Sequence, residues 1–164
     1  MNKTCFASFL ITFWIAGCTT PATQDQMLIH RIDSLEHEFT DTYKPGLGEF
    51  MSSIQIHHAK LWFAGQKQNW ALADFEIHEI IESIDDIKKY ETDRPETKGI
   101  DMIKPALDSV RHSIEEKSST LFNRSYILLT NTCNTCHVDN KFEFNVVKVP
   151  ESPPFSNQSF ELRK

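Results

Sequence analysis

Residues 69–87 read NWALADFEIHEIIESIDDI, and Trp70, Ala73, Ile77, Ile80, Ile84 and Ile87 recur in it at steps of three and four. That spacing keeps all six on one side of a 3.6-residue helix, and Asn69 stands where a side-chain oxygen caps the first free N–H groups. A helix with one apolar stripe must bury it against other elements. The rest of the chain supplies more helices. Phe50, Ile54, Leu61 and Trp62 mark the apolar side of a segment from about residue 47 to 64, with Gly65 as its expected stop. Ile100, Ile103, Leu107, Val110 and Ile114 form another stripe, and Pro105 predicts that its regular helix starts near Lys104 with proline in the first turn. Phe122, Tyr126, Leu129, Cys133 and Cys136 form the last one, and Ser118 and Ser119 interrupt the pattern before it. Upstream, Leu28, Ile32, Leu35 and Phe39 follow steps of four, three and four until Pro45, Gly46 and Gly48 break the pattern. No strand alternation precedes residue 140. From Lys141 onward Phe142, Phe144, Val146, Val147 and Val149 lead into Pro150, Pro153 and Pro154, the composition of an extended tail packed on the domain. The expected fold is all-α: an antiparallel four-helix bundle, with an extra N-terminal helix and an extended C-terminal tail.

The 164 residues are enough for one domain with a real core, and 40% hydrophobic against 24% charged residues is the balance of a globular protein. A net charge of −6 gives no general attraction to nucleic acid. The first 17 residues differ from the rest. Lys3 is followed by the apolar run FASFLITFWIA over residues 6–16, the length of a signal peptide and too short to span a bilayer. Ile15-Ala16-Gly17-Cys18 resembles the bacterial lipobox, which implies cleavage before Cys18 and lipid attachment to it. Thr19 to Thr23 would follow as a tether. The expected organisation is a signal peptide over 1–17, a tether over 18–23, a helical domain over 24–140 and the tail over 141–164. An ordinary secretory signal with an incidental cysteine is the plainer alternative.

Of four cysteines, Cys5 leaves with the signal and Cys18 takes the lipid, so Cys133 and Cys136 need an explanation of their own. Residues 133–137 read Cys-Asn-Thr-Cys-His, the attachment pattern of a c-type haem. Two thiols about one helical turn apart can add to the two vinyl groups of a porphyrin, and the adjacent His137 can place an imidazole nitrogen on the iron. A thioredoxin-like pair would sit at a helix start after a strand, whereas these cysteines end a helix. A zinc site would need two further ligands, which His57 and His58 could supply. The expected cofactor is one covalent haem c.

A helical domain with Cys-x-x-Cys-His at the end of its last helix resembles the class II c-type cytochromes, the cytochrome c′ and c-556 type. The resemblance covers about residues 47–138 and implies haem packed between the helices with His137 as its proximal ligand. Two features depart from that family: the extra segment at 24–43, and the 27 residues after His137. In such proteins the opposite haem face is covered by the first bundle helix, which here offers His58, Met51 and His57, in that order of preference. Met51, Ile54, His58 and Trp62 share one helical face, and the adjacent histidines cannot both point inward. Histidines on the flank that bind nothing are the plainer alternative. His30, His37, His78 and His112 read as surface or structural, and Glu76, Glu79, Glu82, Asp85 and Asp86 as a solvated acidic face.

The expected role is therefore electron transfer by a lipid-anchored cytochrome on the periplasmic side of the bacterial envelope, not enzymatic catalysis. Its expected partners are a redox protein and the membrane, with a homodimer left open. The alternatives are a five-coordinate haem protein binding NO or CO, and a zinc-bound structural lipoprotein.

Overall fold

A computed structural model describes residues 22–42 and 45–162. Residues 1–17, expected to be a signal peptide, and Cys18, the expected lipid site, lie outside the described residues. The protein is all-helical, with no strand among the described residues: α1 (Ala22–Thr42), α2 (Leu47–Gln66), α3 (Trp70–Tyr90), α4 (Lys104–Glu115) and α5 (Ser119–Asp139). Two short 3₁₀ turns, Pro95–Thr97 and Ile100–Ile103, join α3 to α4. The chain divides into two compact units, Met1–Tyr43 and Lys44–Lys164, so α1 stands in a different unit from α2–α5.

In the second unit α2 packs on α3, α4 on α5, α3 on α4 and α2 on α5. Ile77, Ile80 and Ile87 of the α3 stripe are fully buried and belong to one core with Leu61, Val110, Phe122, Tyr126 and Leu129. Asn69 caps α3 by accepting from Leu72 N, and Ser118 caps α5 by accepting from Leu121 N. Pro105 sits in the first turn of α4, where its missing N–H has no partner to lose.

The corners follow one rule. Among the described residues Gln68, Lys117 and Lys141 are the non-glycine positions with positive φ, and each stands just past a helix end. The next residue then closes back on the helix: Asn69 N to Ala64 O, Ser118 N to Ser113 O and Phe142 N to His137 O. This is the Schellman closure, which satisfies carbonyls that a helix end leaves free. At the first two corners the closing residue is also the cap of the next helix, so three residues suffice to join α2 to α3 and α4 to α5.

Gly65 does not end α2, as its type suggested. It lies one residue inside the helix and is buried, and a Cβ there would collide with the ring of Phe122. Glycine serves here for close approach of α2 and α5, not for a turn. Phe122 is flanked by Trp62 and Trp70, with ring centroids 6.4 and 6.0 Å away.

The tail begins with a turn after α5 and has neither helix nor strand through residue 162. Its far end is held by Phe160, which is buried against Phe63 and whose carbonyl accepts from Asn69 Nδ2.

Candidate haem-attachment site

The last two turns of α5 carry Cys133, Cys136 and His137, and two clefts open beside them. The first, about 210 Å³, is lined by Cys136, His137, Asn140, Phe142 and Asn145 from one side and by Leu47, Gly48 and Met51 from α2. The second, about 230 Å³, is lined by Cys133, His137, Val146 and Val147, and by Met51, Ile54 and His58 from α2. Each cysteine therefore faces a different cleft. Gly48, Met51, His137 and Asn145 line both, so the two spaces adjoin along the line between Met51 and His137.

His137 is half-buried, and its Nδ1 lies 2.6 Å from the backbone carbonyl of Asn145. A carbonyl only accepts, so Nδ1 carries the proton and donates. In the neutral ring Nε2 then keeps its lone pair, the arrangement that fixes a metal-binding imidazole. The corner at Lys141 makes this contact available. By turning the chain immediately after α5, it brings residue 145 back over residue 137.

A second clamp holds the same segment. Asn134, the first residue between the two cysteines, donates from Nδ2 to Val147 O at 2.8 Å and accepts at Oδ1 from Val147 N, also at 2.8 Å. Asn140 caps the end of α5 and donates to Cys136 O at 2.8 Å, with Cys136 Sγ 3.5 Å away. None of the three asparagines stood out in the sequence: Asn134 and Asn145 meet partners that the turn brings near, and Asn140 reaches back four residues to Cys136.

Burial pushes the Cys133 thiol up to about 11, with the neighbouring Cys136 as the next cause. Burial also raises Cys136, against the hydrogen bond from Asn140. Thiols kept neutral in this way are poor nucleophiles at neutral pH, unlike those of a thioredoxin-type pair. The zinc alternative is not assembled: among the described residues no group of three or more His, Cys, Asp or Glu side chains could hold a metal ion.

The three residues weighed for the opposite face separate clearly. Met51 lines both clefts together with His137. His58 is buried two turns further along α2 and lines only the second cleft. Both its ring nitrogens are engaged within the core, Nε2 with Thr130 Oγ1 at 2.9 Å and Nδ1 with Tyr126 Oη at 2.9 Å. Tyr126 Oη also lies 2.7 Å from the His58 carbonyl, and the two rings pack with centroids 4.5 Å apart. Burial lowers the His58 pKa to about 4, so the ring is neutral.

His57 lines neither cleft. It faces α3, where Nδ1 lies 2.7 Å from Oε2 of the fully buried Glu76, and Nε2 lies 3.8 Å from Glu79. Lys60 Nζ stands 3.7 Å from the other Glu76 oxygen, which has no hydrogen-bond partner. Glu76 is thus an inward member of what the sequence presents as a solvated acidic face. The other histidines, 30, 37, 78 and 112, are exposed.

The donor set fits a covalently held haem: two neutral thiols facing adjoining, largely apolar clefts, and between them an imidazole oriented through Nδ1. Among the described residues no helix is long and apolar enough to cross a membrane. No protein-family model, curated protein or solved structure matches this chain.

Proposed function

We propose that the chain is a mono-haem c-type cytochrome that carries electrons in the bacterial cell envelope. The observation that carries this reading is the contact of His137 Nδ1 with the Asn145 carbonyl, between two cysteines that face adjoining clefts. In this reading α2–α5 form an antiparallel four-helix bundle of the class II cytochrome type, Cys133 and Cys136 would hold the haem through thioethers, and His137 would bind its iron through Nε2. The haem supplies reversible one-electron transfer at its iron.

The chain's own contribution is attachment, orientation and exclusion of water. Asn145 fixes the tautomer and plane of His137. Asn134 holds the segment that carries Asn145. Ile54, Phe142 and Val147 give the clefts apolar walls that favour a flat apolar ring over solvent. Met51 would be the second side chain to hold the iron, because it alone of the three candidates lines both clefts with His137. His58 serves as a neutral wall residue with its nitrogens already engaged. Cys18 carries the lipid, and the protein works on the periplasmic side of the membrane it is anchored to.

The test is the mature protein produced with the haem-attachment machinery. Mass spectrometry should find one porphyrin on the peptide containing Cys133 and Cys136, and the reduced protein should give a low-spin spectrum that ignores carbon monoxide. Met51→Ala should convert it to a high-spin form that binds carbon monoxide, and His58→Leu should not. A chain with both thiols free, or holding zinc, overturns the proposal. A wild-type spectrum that shifts with carbon monoxide replaces electron transfer with gas binding.

A further inference from the structure

Helix α1 has an apolar stripe that the described residues of its own unit leave uncovered. Leu28, Ile32, Leu35 and Phe39 are 53%, 53%, 56% and 84% exposed. A 21-residue helix with so little covered is marginal by itself in water, and a contiguous apolar stripe of this kind marks an interaction surface. The steps of four, three and four are those of a heptad seam, with Leu28 and Leu35 at d and Ile32 and Phe39 at a. In this register Arg31 falls at g and Glu36 at e.

The charges choose between occupants. Along α1 stand Asp25, Asp33, Glu36, Glu38 and Asp41 against the single basic residue Arg31. An interfacial helix lying on anionic lipid carries lysine and arginine on its polar face, so this helix would be repelled there. A second copy of α1 carries the same acidic surplus, but its seam can set the one arginine of each helix against a glutamate of the other. In a parallel pair, residue g of one helix meets residue e of the next heptad on the other. Arg31 of each copy then faces Glu36 of the other, twice by symmetry. Ile32 at a with leucine at both d positions agrees with two parallel strands, while Asp25 and Phe39 hold the other a positions and confine the matched seam to its centre.

We propose that α1 is a dimerisation helix, pairing with α1 of a second copy as a parallel two-stranded coiled coil through Leu28, Ile32, Leu35 and Phe39. The pairing does not depend on the haem. Its parallel sense rests on the lipobox reading, because two chains anchored through Cys18 enter the pair from the same membrane surface. That shared anchorage also raises the effective concentration of so short a seam.

Sedimentation equilibrium of the lipidated mature protein, in density-matched detergent, should find a reversible dimer. The double variant Ile32→Glu/Leu35→Glu should be monomeric while the thermal melting of the α2–α5 unit is unchanged. Arg31→Glu should weaken the dimer about fivefold, and adding Glu36→Arg to the same chain should restore it. Leu35→Cys should oxidise to a covalent homodimer, since d faces d only in a parallel pair. A protein that stays monomeric up to about 100 μM overturns the proposal, as does a dimer that survives the double glutamate variant. An antiparallel pair would bring Arg31 against Glu38, so the charge swap and the cysteine would both fail; that outcome also overturns it.

Discussion

The Nδ1 atom of His137 lies 2.6 Å from the carbonyl oxygen of Asn145, eight residues on and across the corner that ends α5. One hydrogen bond thereby ties the orientation of a ring in the last helical turn to the path of the chain beyond it. The corner depends on Lys141 at φ 65°, and on Phe142 N closing to His137 O at 2.7 Å. The tail is in this sense part of the site, and the variants that probe it need not touch either cysteine or His137.

Asn134→Ala removes both bonds to Val147 and leaves two backbone groups to find water. We expect a loss of about 1–3 kcal/mol, read from urea unfolding. Amide exchange at Val147 should rise toward that of an unprotected group. Asn134→Asp keeps the acceptor for Val147 N and loses the donor, so its loss should fall between those of wild type and alanine.

His58 sets an acid limit on the fold. The unfolded chain takes up its proton near pH 6.5 and the folded chain only near pH 4, because burial disfavours the charged ring. Between these values the unfolded state binds more protons, so stability falls as pH falls through the window and is fully present above it. The difference corresponds to about 3 kcal/mol. Urea unfolding at pH 7 and at pH 4 should show wild type losing about that much more than His58→Gln, which cannot titrate. Equal losses in the two proteins would remove His58 as the cause.

Gly65→Ala should destabilise by about 1–3 kcal/mol, because the added methyl enters space held by the Phe122 ring. Trimming that ring with Phe122→Leu costs stability in wild type. In the Gly65→Ala background the same change should cost less, because it relieves the clash. Thermal midpoints of the four proteins form the cycle, and additive effects would refute a direct contact.

Lys117→Gly should stabilise the protein, by up to about 1 kcal/mol. Lys117 holds φ 49° at the corner between α4 and α5, where a side chain is strained and glycine is not. Lys117→Ala keeps the strain and should give no gain, so the comparison separates backbone conformation from loss of charge.

Local pattern alone determined the helices of this chain. Periodicities of three and four located α2–α5, Asn69 was identifiable as a cap, and Pro105 marked the start of α4, because caps and periodicity act within a few residues along the chain. The spacing Cys133-x-x-Cys136-His137 is likewise local, and so the motif was legible without coordinates. The roles of Gly65, Glu76 and the asparagines were not. Gly65 reads as a helix stop until Phe122 of α5 is seen above it, and Glu76 reads as part of a solvated face until His57 and Lys60 of α2 are seen against it.

The neighbouring residues 51, 57 and 58 could be ranked only by type in the sequence. Packing separates them: Met51 lines both clefts, His58 is buried between Tyr126 and Thr130, and His57 faces α3. The physical reason is the same in each case. Helical identity depends on neighbours three and four residues away. Which partner a side chain meets depends on which helix the chain folds against it, and here those partners lie 19 to 72 residues distant.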